Sequence, residues 1–498
     1  MSTHSPTLAS PHDTNVKLIL EWLALAHHNP EQGDATLLQQ HLLLLRESPI
    51  PAGTRLKVLD LIYQHTEQIV HHELPSLRST SLPISRSLRQ RIRPLLDALS
   101  TLTQDYFNSL ADFFDPEISK RQAPHTALRR VMQCIAWQIH VAHLSASPPK
   151  PGIWQELHAA YSAARKLGIE QDEGPRQGPS IHAIYIGMLL GAIAQPASFN
   201  GEEIEFIQAY IQQLANPPGL SSSAGDMPDS TFWVDTEKDT PPNAMVRRPP
   251  PASRSILFFS CGQVARQTRA LIEALPTSPP PSLPDFARTR AGTAILKRLE
   301  ALWGSPQKRR FPRRRNSYRV RLWTGFENLW QLARTPANAA ESSEWMVTDE
   351  SPDGYALMHV SGPTRHLKVG DIIAMRTQDD QEAQRPTWQI CLVRRALSEN
   401  PEHIELGVQL LAARATAAEI AQPHDPPLPP TAALILPPTP PLRPNEALIL
   451  PSGTLQDENA KIIVMIERSN LEIREMRASH LDEQTSTLEV FSVLPDEN

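Results

Sequence analysis

The chain has 498 residues, a formal net charge of −6, 40% hydrophobic residues and 20% charged residues. This length predicts two to four domains that each bury a core, and the composition is typical of a soluble protein. The longest apolar run, residues 183–194, falls short of the roughly 20 residues that cross a bilayer. No secretory leader is apparent, and the three cysteines are too dispersed for a zinc knuckle. We therefore expect a cytoplasmic protein with no membrane span and no metal site.

The first part of the chain has helical periodicity. Apolar side chains recur at three- and four-residue steps, most clearly between residues 88 and 113. Short loops separate the amphipathic stretches, which is typical of antiparallel helix packing. The pattern predicts an all-α domain over residues 14–215.

Proline marks two later stretches. It fills eight of 37 positions in 216–252 and ten of 22 in 423–444. Proline-dense segments without apolar periodicity are typical of linkers. We predict linkers at both places, with a mostly helical connecting segment at 253–304 between the first linker and the next domain.

A β-rich domain is predicted over residues 305–415. Short apolar segments separated by turn residues occupy most of 317–412 and allow either a barrel or a sandwich. The tail alternates again, which predicts a small β-rich domain over 446–495. The expected fold class is multidomain α+β, with the all-α domain first and the β-rich domains after it.

An arginine cluster stands at the start of the first β-rich domain. Eight of the fourteen residues from Lys308 to Arg321 are cationic, in a chain that is acidic overall. Such an excess indicates an anionic partner, and the arginine fork pairs with phosphate or with the O6/N7 edge of guanine. Downstream, Asp349-Glu-Ser-Pro-Asp-Gly354 offers a carboxylate acceptor for guanine N–H groups and a glycine for close backbone approach. Together these residues predict a site for a guanine nucleotide with more than one phosphate.

The order of these residues resembles the PilZ domain, the bacterial receptor module for cyclic di-GMP. Arg315-Asn-Ser-Tyr-Arg319 is similar to its Arg-x-x-x-Arg motif, and Asp349 to Gly354 to its (Asp/Asn)-x-Ser-x-x-Gly motif. Residues 367–375 and 404–410 are also similar, so that the resemblance covers about residues 308–412.

The resemblance implies a six-stranded antiparallel barrel that binds cyclic di-GMP. Arg315 and Arg319 would hold phosphates and guanine edges, Asp349 and Ser351 would face a guanine, and Gly354 would allow the turn. The implied ligand-binding residues, with alternates for the arginine pair, are Arg310, Arg314, Arg315, Arg319, Asp349, Ser351 and Gly354.

Two departures from the family pattern leave alternatives open. Arg309 to Arg313 and Arg310 to Arg314 also satisfy Arg-x-x-x-Arg, so the liganding pair is ambiguous. The long separation of Arg319 from Asp349 predicts a helix or an enlarged hairpin between Trp323 and Trp345.

We also expect the segment 308–321 to lack regular structure without ligand, because its cations repel one another.

No sequence motif supports catalysis. The chain has no P-loop, no Gly-x-Ser-x-Gly elbow and no paired acid and base, so we predict a receptor and not an enzyme, with no cofactor. The predicted function is an effector that passes cyclic di-GMP occupancy to its helical domain or to a protein partner. Two alternatives stay open: a degenerate PilZ-like interaction module without nucleotide, and a nucleic-acid-binding protein that uses the basic segment, although nucleic acid is the less favoured partner.

Overall fold

The structure is a computed structural model of the chain. It describes residues 11–28, 35–111, 124–173, 178–214, 216–225, 228, 230–278, 280–308, 311–335, 341–364, 367–377, 388–400, 403–423, 429–440, 443–457, 459–467 and 470–496.

The first part of the chain is helical, as predicted. In α4 a stripe from Ile92 to Tyr106 is buried, and Ser85 caps the helix by accepting a hydrogen bond from the Leu88 N–H at 3.2 Å. None of the described helices is both long enough and apolar enough to cross a membrane. The helices are α1 Pro11–His28, α2 Ala35–Glu47, α3 Ala52–Arg78, α4 Arg86–Ser109, α5 Pro124–Leu144, α6 Ile153–Leu167, α7 Ile181–Ile193 and α8 Gly201–Gln212, with a 3-10 turn at Pro196–Ser198 before α8.

A three-stranded antiparallel sheet follows, in the order β2-β1-β3. Its strands are β1 Thr231–Asp235, β2 Asn243–Ala244 and β3 Ile256–Ser260. β1 and β2 lie inside 216–252, where the sequence predicts a linker. The difference has a physical reason. All five residues of β1 are buried and pair with β3, and no proline falls within β1.

The same segment also contacts the helices. The Asp239 carboxylate accepts hydrogen bonds from the Gly152 N–H at 2.6 Å and the Trp154 N–H at 3.0 Å, at the start of α6. His158 on α6 donates its Nε2 hydrogen to the Thr240 carbonyl at 3.1 Å. Residues 231–260 are therefore packed onto the helical part of the chain.

Two helices connect this sheet to the first barrel; they lie, with β3, inside 253–304, where the sequence predicts a mostly helical segment. They are α9 Gly262–Ala274 and α10 Arg290–Gly304, with a 3-10 turn at Asp285–Arg288 between them. The apolar face of α10 is buried, including Trp303, whose indole N–H donates to the Leu190 carbonyl of α7 at 3.3 Å.

The first barrel is closed by six antiparallel strands in the order β4-β5-β6-β9-β8-β7, which confirms the architecture expected from the PilZ resemblance. A helix, α11 Phe326–Arg334, follows β4, which is one of the two alternatives predicted for the long interval before Asp349. The strands are β4 Arg314–Thr324, β5 Ser343–Ser351, β6 Gly354–Ser361, β7 Ile372–Thr377, β8 Gln389–Asn400 and β9 His403–Ala412.

The first barrel packs on the helical part of the chain. Leu82 and Leu367 form an antiparallel bridge with an N–H to carbonyl distance of 2.9 Å, and Arg89 donates to the Ser398 hydroxyl at 2.7 Å. Their apolar cores are continuous. Movement of the barrel therefore changes contacts of α4 and of the loop before it.

The tail forms a second closed barrel, in the order β10-β11-β12-β15-β14-β13. β11 lies inside 423–444, where the sequence predicts a linker. Its Ala-Ala-Leu-Ile-Leu run stands between proline clusters, and it pairs with both neighbours because no proline falls within it. The strands are β10 Thr416–Ala421, β11 Thr431–Leu436, β12 Ala447–Pro451, β13 Lys461–Glu467, β14 Leu471–Gln484 and β15 Leu488–Pro495.

Candidate functional site

The Asp-x-Ser-x-x-Gly sequence forms the β5–β6 hairpin. Pro352 and Asp353 make the turn, and Ser351 and Gly354 are paired across it. The Ser351 hydroxyl lies 2.7 Å from an Asp353 carboxylate oxygen and 3.2 Å from the Gly354 carbonyl oxygen. These contacts hold the turn compact and leave Asp349 two residues before it.

Gly354 is required by a close backbone approach. A Cβ at this position would lie 2.1 Å from the carbonyl oxygen of Val408 on β9. A backbone carbonyl within a barrel strand cannot move aside cheaply, so only glycine fits without displacing a strand.

The arginine cluster meets this hairpin through β4. Arg313, immediately before β4, donates from Nη1 to the Asp349 carboxylate at 2.8 Å. In the strand register Arg315 lies opposite Asp349 and Arg314 opposite Glu350, and both arginines are exposed. Cross-strand partners share one face of a sheet, so Arg315 is beside the same carboxylate.

The other arginines named by the sequence lie elsewhere. Arg319 donates to Glu344 at 2.8 Å, in an ion pair between an exposed arginine of β4 and a partly buried glutamate of β5. Arg310 lies outside the described residues. The expectation that 308–321 lacks regular structure is wrong from Arg314 onward, because pairing with β5 and β7 holds this stretch as a strand despite its charge.

A cleft of about 730 Å³ lies beside the hairpin on the outer face of the first barrel. This volume is within the range of small-molecule sites. Ala356 on β6 lines it with a methyl group, and Gly407 on β9 lines it without a side chain. Arg313, Asp349, Ser351 and Gly354 also line it, whereas Arg314, Arg315 and Arg319 are not among the lining residues.

The cleft receives side chains from other parts of the chain. Its rim includes Gln195 and Ser198 beside α8, Arg298 on α10, and Glu483 on β14 of the second barrel. The helical part, the first barrel and the second barrel therefore all contribute to one cleft.

Three arginines of this cleft are absent from the sequence prediction: Arg298 on α10, and Arg394 and Arg395 on β8. Each is an ordinary cation within a helix or strand pattern, and no motif marks it. Only the packing of α10 and β14 against the barrel brings them beside the hairpin.

Arg298 is the most enclosed of these arginines. Its pKa is lowered to about 10, mainly by burial and also by the neighbouring Arg394, while the carboxylates of Glu203 and Glu483 act in the opposite direction. Its Nη1 donates to the Ser198 carbonyl at 3.1 Å, and its guanidinium carbon lies 4.2 Å from the centre of the Phe199 ring. Arg298 stays cationic at neutral pH.

Arg394 connects the two barrels. It forms an ion pair with Glu483 and donates from Nε to the Gln409 side chain at 2.6 Å. With Arg298, Arg313 and Arg395 it gives the cleft four cations. Such a cleft can bind an anionic ligand, while Asp349 and Ser351 supply acceptors for N–H groups. Within the described part of the chain, no group of three or more His, Cys, Asp or Glu residues could hold a metal ion.

Two family models match the chain. Residues 17–223 match "Cyclic-di-GMP receptor FimW, N-terminal domain", and residues 331–417 match "Cyclic-di-GMP receptor FimW, middle PilZ domain". Together they cover more than half of the chain. The second match includes the β5–β6 hairpin and begins after the arginine cluster. No curated protein matches the chain.

Proposed function

Because the chain belongs to the PilZ-domain family of cyclic-di-GMP receptors, we propose that cyclic di-GMP binds in the cleft beside the β5–β6 hairpin. One observation carries this proposal: Arg313, Asp349, Ser351 and Gly354 converge on a cleft that four arginines line. A dianionic nucleotide neutralises part of this charge, and the cleft is large enough for a ligand of this class.

The proposal gives each group a role. Asp349 accepts hydrogen bonds from a guanine, with Ser351 beside it, and Gly354 keeps the hairpin close to β9. Arg313 contacts a phosphate when it leaves the Asp349 carboxylate. That carboxylate and Arg313 are both partly exposed, so the ion pair that is given up stabilises the free protein only weakly.

The remaining arginines complete the phosphate side of the proposed site. Arg315 lies opposite Asp349 and is exposed, so it needs only a rotamer change to reach the cleft. Arg319 must first leave Glu344. Arg310 and Arg314 stay as alternates or additional contacts.

Occupancy of the cleft is proposed to change how the three parts of the chain pack. Arg298, Arg394 and Glu483 belong to three different parts and line the same cleft. A ligand that contacts them favours the arrangement in which it binds best, and thereby shifts the population. The output is a change in the helical domain or in the binding of a protein partner, in a cytoplasmic effector without catalytic activity.

Isothermal titration of the full chain with cyclic di-GMP tests this function. We expect Arg313→Ala to lower the affinity about 10- to 100-fold, the effect of losing one charge-assisted hydrogen bond. Arg321→Ala is the matched control, because this exposed β4 arginine does not line the cleft. Arg319→Ala measured beside it decides whether Arg319 is a ligand.

Titrations with GTP and RNA separate the alternatives. Selective binding of cyclic di-GMP supports the receptor. No binding of any of the three contradicts it in favour of an interaction module, and RNA binding that weakens steeply with salt contradicts it in favour of a nucleic-acid-binding protein.

A further inference from the structure

Two arginines outside the PilZ motifs meet at the nucleotide cleft from different parts of the chain. Arg298 comes from α10 and Arg394 from β8. Both line the cleft, and both line an adjoining cleft of about 410 Å³ between α10 and the second barrel. Two cations are therefore held together at the junction of the three parts.

The partners of the two arginines differ. Arg394 is paired with the Glu483 carboxylate of β14. Arg298 contacts the Ser198 carbonyl and the Phe199 ring, and no carboxylate of the described residues forms an ion pair with it. The carboxylates whose charge acts on Arg298 are Glu483 and the buried Glu203 of α8. The two neighbouring arginines lie with them in a partly desolvated place, where like charges repel more strongly than in water.

We propose that Arg298 and Arg394 together hold one phosphate of the bound nucleotide, and that Glu483 is the internal counter-ion which this phosphate displaces. The inference rests on the proposed function, because it concerns the same ligand and the same cleft. The nucleotide carries two phosphates, and the arginines that line the cleft form two groups. One group adjoins the hairpin at Arg313, and the other adjoins α10 at Arg298 and Arg394, with Arg395 next to Arg394 on β8.

This arrangement makes the site composite and couples it to domain packing. When the phosphate takes the Arg394 guanidinium, the ion pair between the first barrel and β14 is broken, while α10 is drawn to the ligand through Arg298. Glu483 has two effects on binding: it competes for Arg394, and it repels the anionic ligand. Its removal therefore strengthens binding, whereas removal of either arginine weakens it.

The test is isothermal titration of cyclic di-GMP into full-length variants. We expect Arg298→Gln and Arg394→Gln each to lower the affinity about 10- to 100-fold. Glu483→Gln should raise the affinity about two- to fivefold, the range of a partly exposed ion pair. Arg269→Gln is the control, because this exposed arginine pairs with Glu300 and does not line the cleft, so its affinity should equal that of the parent.

The outcomes separate this inference from the proposed function. If the parent binds and both arginine variants bind equally well, the phosphate role of Arg298 and Arg394 is wrong while the receptor function stands. If the parent does not bind, both are wrong. Weaker binding by Glu483→Gln contradicts the displacement. The Glu483→Gln variant changes a partly exposed side chain, so it tests the displacement of Glu483 even where Arg298→Gln fails to fold.

Discussion

At the scale of single residues, the hairpin of the candidate site requires a glycine at position 354 for a geometric reason. Gly354 begins β6, and its Cα faces the backbone of β9 so closely that a methyl group would overlap the Val408 carbonyl. The sequence motif contains this glycine, but its reason is visible only when β6 and β9 are paired.

Gly354→Ala should therefore destabilise the hairpin and abolish or strongly weaken nucleotide binding. Overpacking a closed strand costs about 1–3 kcal/mol, because β6 or β9 must shift. Thermal melting of the full chain and titration with cyclic di-GMP measure the two effects. Gly219→Ala is the matched control, since nothing lies within 4 Å of a Cβ there. Equal melting and binding of the two variants would contradict the close approach.

At the scale of elements, α11 joins the two barrels. It follows β4 of the first barrel, yet its buried face lies in an apolar cluster with strands of the second barrel. Trp330 is buried in this cluster and donates its indole N–H to the Ala418 carbonyl of β10 at 2.8 Å. The long interval between Arg319 and Asp349 thus contains the helix that packs against the second barrel.

Trp330→Ala should loosen the second barrel against the first. Truncation of a buried tryptophan costs about 3–5 kcal/mol, and here the lost packing lies at the contact between barrels. Hydrogen exchange should accelerate in β10 and β11, and it should change little in β13. Gln331→Ala, at an exposed neighbouring position, is expected to leave exchange unchanged. If both variants keep the parent's protection from hydrogen exchange in β10 and β11, α11 is not needed for this contact.

At the scale of the whole molecule, the prolines do not divide the chain where the composition suggests. A fragment of residues 253–422, bounded by the two predicted linkers, removes β1 from its pairing with β3. It also retains only β10 of the six strands of the second barrel. The fragment 253–422 therefore does not correspond to a complete structural unit.

The fragment 253–422 should consequently be far more sensitive to protease than the full chain and should bind cyclic di-GMP more weakly. The physical reason is the exposed edge of β3 together with the unpaired β10, which expose buried apolar side chains. A fragment of residues 216–498 keeps the sheet and both barrels and serves as the comparison. Cooperative melting and parental affinity of 253–422 would show that these elements are dispensable.

The sequence by itself determined the helical stripe of α4, the alternation of the barrel strands and the turn within Asp349–Gly354. These features depend on neighbours a few residues apart, so periodicity and a short motif are enough to predict them. The helix in the interval before Asp349 was also predicted, as one of two alternatives.

The tertiary structure alone decided which side chains share the cleft and where the domains end. Arg298, Arg394 and Glu483 meet because α10, β8 and β14 pack together, although they are far apart in the chain. β11 belongs to a barrel because β12 and β10 pair with it, whatever its proline-rich flanks suggest. Barrel closure and domain packing depend on contacts between distant residues, and no local pattern in the sequence encodes which distant partners meet.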